Sequence, residues 1–144
     1  MPPPAAPDFP DDLVAFWRER HLCTVSTLRA DGSPHVVPMG IVLDPDEGRA
    51  WGITSRTSQK AANLRRGRDR RVAVCQVDGR RWSTLEGLAE VREDEASVAE
   101  AVRRYAERYK QPRPNPARVA LRIEVTRVLG NVGHHPADPA RPQA

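Results

Sequence analysis

Ser55, Thr57, Ser58 and Lys60 fall in one short stretch between an apolar run, Ala50-Trp-Gly-Ile-Thr54, and the arginine-rich Arg65-Arg-Gly-Arg-Asp-Arg-Arg71. The pattern predicts a strand running out into the first turn of a helix, with Ser55, Thr57 and Ser58 as candidate N-caps. A lysine in that turn opposes the helix dipole, which already places partial positive charge there. The same arrangement suits an anion, because unbonded backbone N–H groups, hydroxyls and an ammonium converge on one point. The competing reading is a solvated lysine on an ordinary short helix.

No other residues form a self-sufficient catalytic set: the chain has no GxSxG, no HExxH and no Walker loop. Of the histidines, His21 sits at an expected helix-to-strand junction and reads as structural. His134 and His135 lie in the tail and are a weak metal signal. His35 opens a strand just after a turn, where it would either line a pocket or pack in the sheet. Glu86 could serve as an acid or base, but a strand carboxylate paired with one of the many arginines is the simpler reading. An anion pocket without a catalytic group of its own points to a cofactor that brings the chemistry while the protein binds and orients it.

At 144 residues with 39% hydrophobic content, the chain is long enough for one domain with a real core. No apolar stretch approaches a membrane span, and Met1-Pro-Pro-Pro-Ala-Ala-Pro7 does not read as a signal peptide. Cys23 and Cys75 fall in separate strand-like runs with no CxxC pair, which predicts free thiols and a reducing, cytoplasmic setting. The net charge of +4 favours anionic partners: phosphates, polycarboxylates or nucleic acid. Five arginines in Arg65–Arg71 raise the nucleic-acid option. Asp69 interrupts the run and no aromatics interleave it for stacking, so a solvated loop is expected and no nucleic-acid partner.

Organisation follows from hydrophobic period and turn chemistry. Residues 1–10 read as a disordered lead-in, 11–130 as the domain and 131–144 as a loose tail. Asp11 or Asp12 is expected to cap a helix reaching Arg20, with Leu13, Phe16 and Trp17 on one face. Strands are expected at His21–Thr27, His35–Leu43, Arg49–Thr54, Arg71–Val77, Arg81–Val91 and Val119–Leu129, and helices near Ser58–Arg66 and Glu95–Tyr109. Asp78-Gly79 is the strongest hairpin signal, and Asp31-Gly32 a second. Pro38 argues for an edge strand or a bulge. Strands in hairpins with short helices between them make a mainly β protein: a small β-barrel of six or more mostly antiparallel strands.

Three segments carry a resemblance: Leu22-Cys-Thr-Val-Ser-Thr-Leu-Arg-Ala-Asp-Gly-Ser-Pro-His-Val36, Ser58-Gln-Lys-Ala-Ala-Asn-Leu64 and Gln76-Val-Asp-Gly-Arg-Arg-Trp-Ser-Thr-Leu-Glu-Gly87. Over about residues 11–130 the chain resembles the split β-barrel, FMN-binding-like oxidoreductases of the pyridoxamine 5′-phosphate oxidase superfamily. Arg104-Tyr-Ala-Glu-Arg-Tyr-Lys-Gln-Pro-Arg-Pro-Asn-Pro116 looks most like the branch of coenzyme F-420-dependent biliverdin reductases. The resemblance implies that Lys60 and Ser58 hold the coenzyme's phosphate, with Asn63 one turn on supporting them. It implies that Thr54, Ser55 and Arg56 run beside the ribityl chain, and that Val37, Pro38 and Met39 lie against the tricyclic ring. It implies that Trp82, with Arg80 or Arg81, lines the cleft, often from the second subunit of a homodimer. The Gly130–Ala144 tail departs from the pyridoxamine oxidases proper, which disfavours vitamin B6 chemistry.

These implications combine into one expectation. Reduced F-420 would pass a hydride to a conjugated acceptor, biliverdin becoming bilirubin, while His35, Arg80 and Arg81 face the substrate and arginines, Arg56 among them, hold its propionates. FMN in the same pocket, or a non-catalytic carrier of F-420 or a tetrapyrrole, are the alternatives. No metal is expected.

Overall fold

The computed structural model describes residues 7–65 and 69–133. Along them run α1 (Asp11–Arg18), β1 (Cys23–Leu28), β2 (Pro34–Met39), β3 (Ile41–Asp44), β4 (Arg49–Ser55), α2 (Gln59–Arg65), β5 (Arg71–Asp78), β6 (Arg81–Arg92), α3 (Glu95–Arg108) and β7 (Arg118–Gly130). Both expected hairpins form, with Gly32 and Gly79 at positive φ in their turns. The extra strand arises because the run expected as one strand, His35–Leu43, breaks at Gly40.

That break closes the barrel. The strands lie in one antiparallel sheet in the order β2-β1-β5-β6-β7-β4-β3. The two edge strands are consecutive in the chain: β2 pairs with β1, and after Gly40 β3 pairs with β4. One segment thus joins both edges and curls the sheet on itself, leaving it split where β2 and β4 diverge. Pro34 and Pro38, without N–H groups, sit on the edge strand that needs fewest donors, as Pro38 predicted. Alternation sets the faces, with Cys23, Val25, Thr27, Val72, Val74, Gln76, Ser83 and Leu85 inside. Gly87 marks a register shift between β6 and β7, where a Cβ would lie 2.1 Å from the Glu124 carbonyl oxygen.

The helices close the ends. Leu13, Phe16 and Trp17 of α1 are fully buried where β1 and β6 begin, and Trp17 Nε1 donates to Ser83 Oγ at 3.0 Å. Neither Asp11 nor Asp12 caps α1. The helix starts directly after Pro10 and stops at Arg18, and both carboxylates sit in its first turn. Asp12 instead accepts from the backbone N–H of Gly133 at 3.1 Å. Val132 is buried and Asn131 bonds the Arg80 carbonyl, so the packed chain runs past the expected boundary at 130. Phe9, within the expected lead-in, packs against the core. At the opposite end, α2 buries Ala61 and Leu64, and Asn63 Nδ2 donates to Thr27 Oγ1 at 2.9 Å. Asp94 caps α3 through the Ser97 N–H, and Ala101 and Val98 pack outside the barrel on Trp51 and Ala120.

α3 ends in a residue that the helical spacing did not mark as core. Arg108 is 8% exposed; it donates to the Glu19 carbonyl at 2.7 and 3.0 Å, to the Ile41 carbonyl and to Gln76 Oε1. Next to it, Tyr109 lies under Gly40, where a Cβ would stand 2.7 Å from its ring, and its hydroxyl donates to the His21 carbonyl at 2.6 Å. Arg108→Met should leave these acceptors buried and unpaired, lowering stability by about 3 kcal/mol or more. A urea melt showing an unchanged midpoint would remove Arg108 from this role.

Candidate functional site

Several of the predicted site residues follow β4 out of the barrel, and others lie elsewhere. β4 outruns β3, whose last partner is Gly52, so Ile53, Thr54 and Ser55 pair only with β7 on their other side. The chain then turns: the Ser58 N–H bonds the Ser55 carbonyl at 3.0 Å and the Arg56 N–H bonds the Ala117 carbonyl at 2.7 Å. Ser58 Oγ accepts from the Ala61 N–H at 3.2 Å, so of the three hydroxyl candidates Ser58 caps α2. Ser55 Oγ accepts from Asn115 Nδ2 at 3.0 Å, which ties the turn to the proline-rich segment after α3.

Lys60 is half-buried, and burial pulls its ammonium below the usual lysine range. Among the described residues no carboxylate lies within ion-pair distance of it. Asn63, one turn later, is occupied structurally: it donates to Thr27 and accepts from Gln59 Nε2 at 2.7 Å. Thr27 stands directly opposite His35 in the β1–β2 ladder, so this bond docks α2 over His35. His35 is half-buried with its Nδ1 shielded and without a hydrogen-bond partner among the described residues. Desolvation first, then the charges of Arg29 and Lys60, push its pKa below the ordinary 6.5. Arg29 belongs to this group although its sequence position in a turn concealed it. The β1–β2 register could have revealed it, since Leu28 opposite Pro34 sets the next residue beside the strand that carries His35.

The structure separates other candidates. Alternation puts Val37 and Met39 on the inner face, opposite Val25 and Cys23, and Pro38 on the outer face, opposite Thr24. Only two of the three residues therefore share a side. Arg56 is bound to Glu93 at 3.1 Å, and Arg65 holds the same carboxylate at 2.9 Å. Arg81 lies at the α1 end, bidentate to Glu19 at 2.7 Å, paired with Asp78 and over the Phe16 ring. With Arg81 first and His21 second, this pulls the Glu19 carboxyl down to about 2. Arg81 thus works as a clamp between α1 and the β5–β6 turn, and His21 sits in the same cluster, 3.1 Å from Glu19. Arg80 is exposed beside it.

Trp82 is on the outer face, its indole Nε1 shielded and unpartnered among the described residues. That face continues across β2, β1, β5 and β6 as Val36, Ser26, Ala73 and Glu86 in one row and Pro38, Thr24, Cys75 and Thr84 in the next. It leaves Val36 and Val77 more than half exposed and holds an open cleft of about 560 Å³ between Leu28, Ala73, Glu86 and Leu88. Glu86 pairs loosely with Arg127 at 3.8 Å, as its strand position suggested. Cys23 and Cys75 are free thiols. Of the arginine run, Arg70 and Arg71 are paired with Glu90 and Asp69, while residues 66–68 lie outside the described residues, as do His134 and His135. No helix among the described residues is long and apolar enough to cross a membrane.

Comparison with known proteins agrees with this architecture. An F-420-dependent biliverdin reductase of Mycobacterium tuberculosis (strain CDC 1551 / Oshkosh) is 50% identical over 121 residues, spanning 84% of this chain and 87% of that protein. The crystal structure of a conserved hypothetical protein from Mycobacterium tuberculosis superimposes with a TM-score of 0.71 at 27% identity, over 90% of this chain and 89% of that one. An F-420 reductase structure shares the fold, with a TM-score of 0.64 at 22% identity over 79% of this chain and 93% of that one. The family described as pyridoxamine 5'-phosphate oxidase matches residues 9–131, and this split-barrel chain belongs to that family.

Proposed function

We propose that this chain is a coenzyme F-420-dependent reductase that converts biliverdin to bilirubin. One observation carries the reading: a half-buried lysine with no carboxylate partner among the described residues stands in the first turn of α2, in a chain 50% identical over 121 residues to an F-420-dependent biliverdin reductase. The residues present fit the coenzyme. Lys60 supplies an unneutralised ammonium for the phosphate, with Ser58 and the Thr54–Ser55 turn beside it. Val37 and Met39 offer apolar contact to a flat ring from the neighbouring edge strand. Asn63 acts at one remove, by holding α2 in place. When bound, the reduced deazaflavin supplies the hydride. The chain's own part is to seat the coenzyme, hold the acceptor against it and keep water from the ring.

Trp82 and Arg80 reach this site, in the same reading, from a second copy of the chain. The outer sheet face is rich in small and apolar residues, and Val36, Val77, Leu88 and Leu129 are exposed on it. Pairing of two such faces buries them and brings one copy's Trp82 edge towards the other's β2. Arg80, which has no ion pair among the described residues, is then placed to bind an acceptor propionate. Arg56 can do so only by leaving Glu93. The free thiols fit a reducing compartment such as the cytoplasm.

Titration of the purified protein with oxidised F-420, with FMN as a parallel arm, checks the coenzyme: F-420 should bind and FMN should bind weakly. Tight FMN binding instead assigns the same pocket to the flavin. Lys60→Ala should weaken F-420 binding by about 1.5–3 kcal/mol, the size of a charge-assisted hydrogen bond. With reduced F-420, biliverdin should turn over; tight binding with no turnover of any acceptor indicates a carrier. Val77→Glu, which buries like charges across the paired faces, should shift the protein to a monomer in size-exclusion chromatography and weaken coenzyme binding. A monomeric wild-type protein that still binds F-420 tightly overturns the two-copy site.

A further inference from the structure

Where β4 leaves the barrel, one side-chain amide braces its end. β3 stops pairing at Gly52, so Ile53, Thr54 and Ser55 have β7 on one side only, and β7 itself begins opposite Ser55, at Arg118. The chain just before β7 extends that support. Asn115 Oδ1 accepts the Ala117 N–H at 2.9 Å and the Asn115 carbonyl accepts the Arg118 N–H at 3.1 Å, folding residues 115–118 into a tight turn. From this turn the Ala117 carbonyl takes the Arg56 N–H at 2.7 Å, and Asn115 Nδ2 donates to Ser55 Oγ at 3.0 Å. The direction of that last bond is fixed, because a backbone N–H can only donate. The Asn115 atom facing Ala117 is therefore the oxygen, and the one facing Ser55 the nitrogen. The neighbouring Arg56–Glu93 pair is half exposed on both sides and contributes little to holding the turn.

Alternation along β4 shows what this brace aims. Ser55 shares a face with Trp51 and Ile53, which pack against α3 outside the barrel, while Thr54 shares the inner face with Ala50 and Gly52. Met39 lies against that inner face: a Cβ on Gly52 would stand 3.0 Å from its methyl group. With Ile41 opposite Gly52, the β3–β4 register would set Met39 opposite Thr54 if the ladder ran on. It stops there because Met39 pairs with β1 instead. Thr54 and Met39 are thus the first inward-facing residues on the two sides of the split. Among the described residues, the Thr54 hydroxyl makes no hydrogen bond.

We infer that Asn115 is a positioning residue for the coenzyme seat: through Ser55 it fixes the end of β4, and so holds the Thr54 hydroxyl on the inner face at the mouth of the split. This rests on the reading of the split as the coenzyme's seat and adds to it a residue from the proline-rich segment after α3. The effect is pre-organisation. A strand end paired on one side opens readily, and a ligand that needs it ordered loses affinity to the ordering. The brace orders it during folding instead.

Two substitutions cut the brace from its two ends. Asn115→Ser keeps a side-chain oxygen for the Ala117 N–H, so the turn survives, but is too short to reach Ser55. Ser55→Ala removes the acceptor and leaves the Asn115 turn intact. Each should weaken binding of oxidised F-420 about fivefold with the urea midpoint unchanged. In the Ser55→Ala background, Asn115→Ser should have no further effect on affinity. A lower midpoint with unchanged affinity makes Asn115 purely structural and overturns the inference, as does an equal loss from Asn115→Ser with and without Ser55. Should Asn115→Ser not fold, Ser55→Thr retains the acceptor and should bind F-420 as the wild type does; equal affinity of the Ala and Thr variants overturns the role. Lys60→Ala separates this inference from the reading beneath it. If Lys60→Ala weakens F-420 binding and Asn115→Ser does not, the seat stands and the positioning role falls. If the wild-type protein binds no F-420, the seat reading fails and this inference fails with it.

Discussion

A buried guanidinium with no carboxylate beside it organises this barrel. Arg108 sits at the last turn of α3 and reaches four elements at once: the Glu19 carbonyl after α1, Gln76 on β5, Ile41 at the start of β3 and, through Tyr109, the chain at His21. Among the described residues no acidic side chain lies within ion-pair distance, so carbonyl and amide dipoles carry the charge. The Trp17 and Tyr109 rings lie 5.6 and 5.0 Å from the guanidinium carbon. A lysine could not serve here, because its three donors radiate from one point, whereas the guanidinium's donors form a planar fork wide enough to bridge strands. Gln76 completes the circuit by donating to the Phe16 carbonyl at 2.8 Å.

That junction matters to the site because of where it sits. Ile41 follows Gly40, the residue at which the closing strand leaves β1 for β4. Tyr109 fills the space that any side chain at residue 40 would need. Holding this point from outside, α3 determines how far β2 and β4 diverge, and the split between them is the space to which Val37, Met39, Thr54 and Ser55 contribute. α3 thus holds the strand end from outside the barrel, and Asn115, just beyond it, braces Ser55 directly.

Charge is distributed by the same logic. The excess of arginine gives the chain its net +4, yet most arginines are neutralised where they stand: Arg49 by Glu124, Arg81 by Glu19 and Asp78, Arg103 and Arg104 by Glu100, Arg122 by Glu90. These are largely exposed pairs, each of small energetic weight. Their effect on function is subtractive. They remove much of the basic surface from competition for anions and leave Arg29 and Lys60 among the cations with no ion pair in the described residues. The outer face adds a second restriction, since residues beside Trp82 lie on the far side of the sheet from Val37 and Met39. One copy of the chain therefore presents the two halves of the proposed site on opposite faces.

What could be read from the sequence was local. Alternation marked the strands from Arg71 to Val91 and the Asp78-Gly79 turn between them, because side-chain direction repeats every second residue whatever lies across the sheet. Lys60 stood out because a cation in the first turn of a helix is out of place on local electrostatics alone, and the ordered motifs carried the family resemblance. Tertiary structure decided which charges have partners and which residues share a face. Asn63, one helical turn from Lys60, proved committed to Thr27. Arg81, next to Trp82 in sequence, proved bound to Glu19 at the other end of the barrel. Arg108 proved buried, although the helical spacing gave no sign of it. Each depends on contacts between residues dozens of positions apart, whose strength is set by burial and distance. Neither quantity exists until the strand broken at Gly40 has closed the sheet.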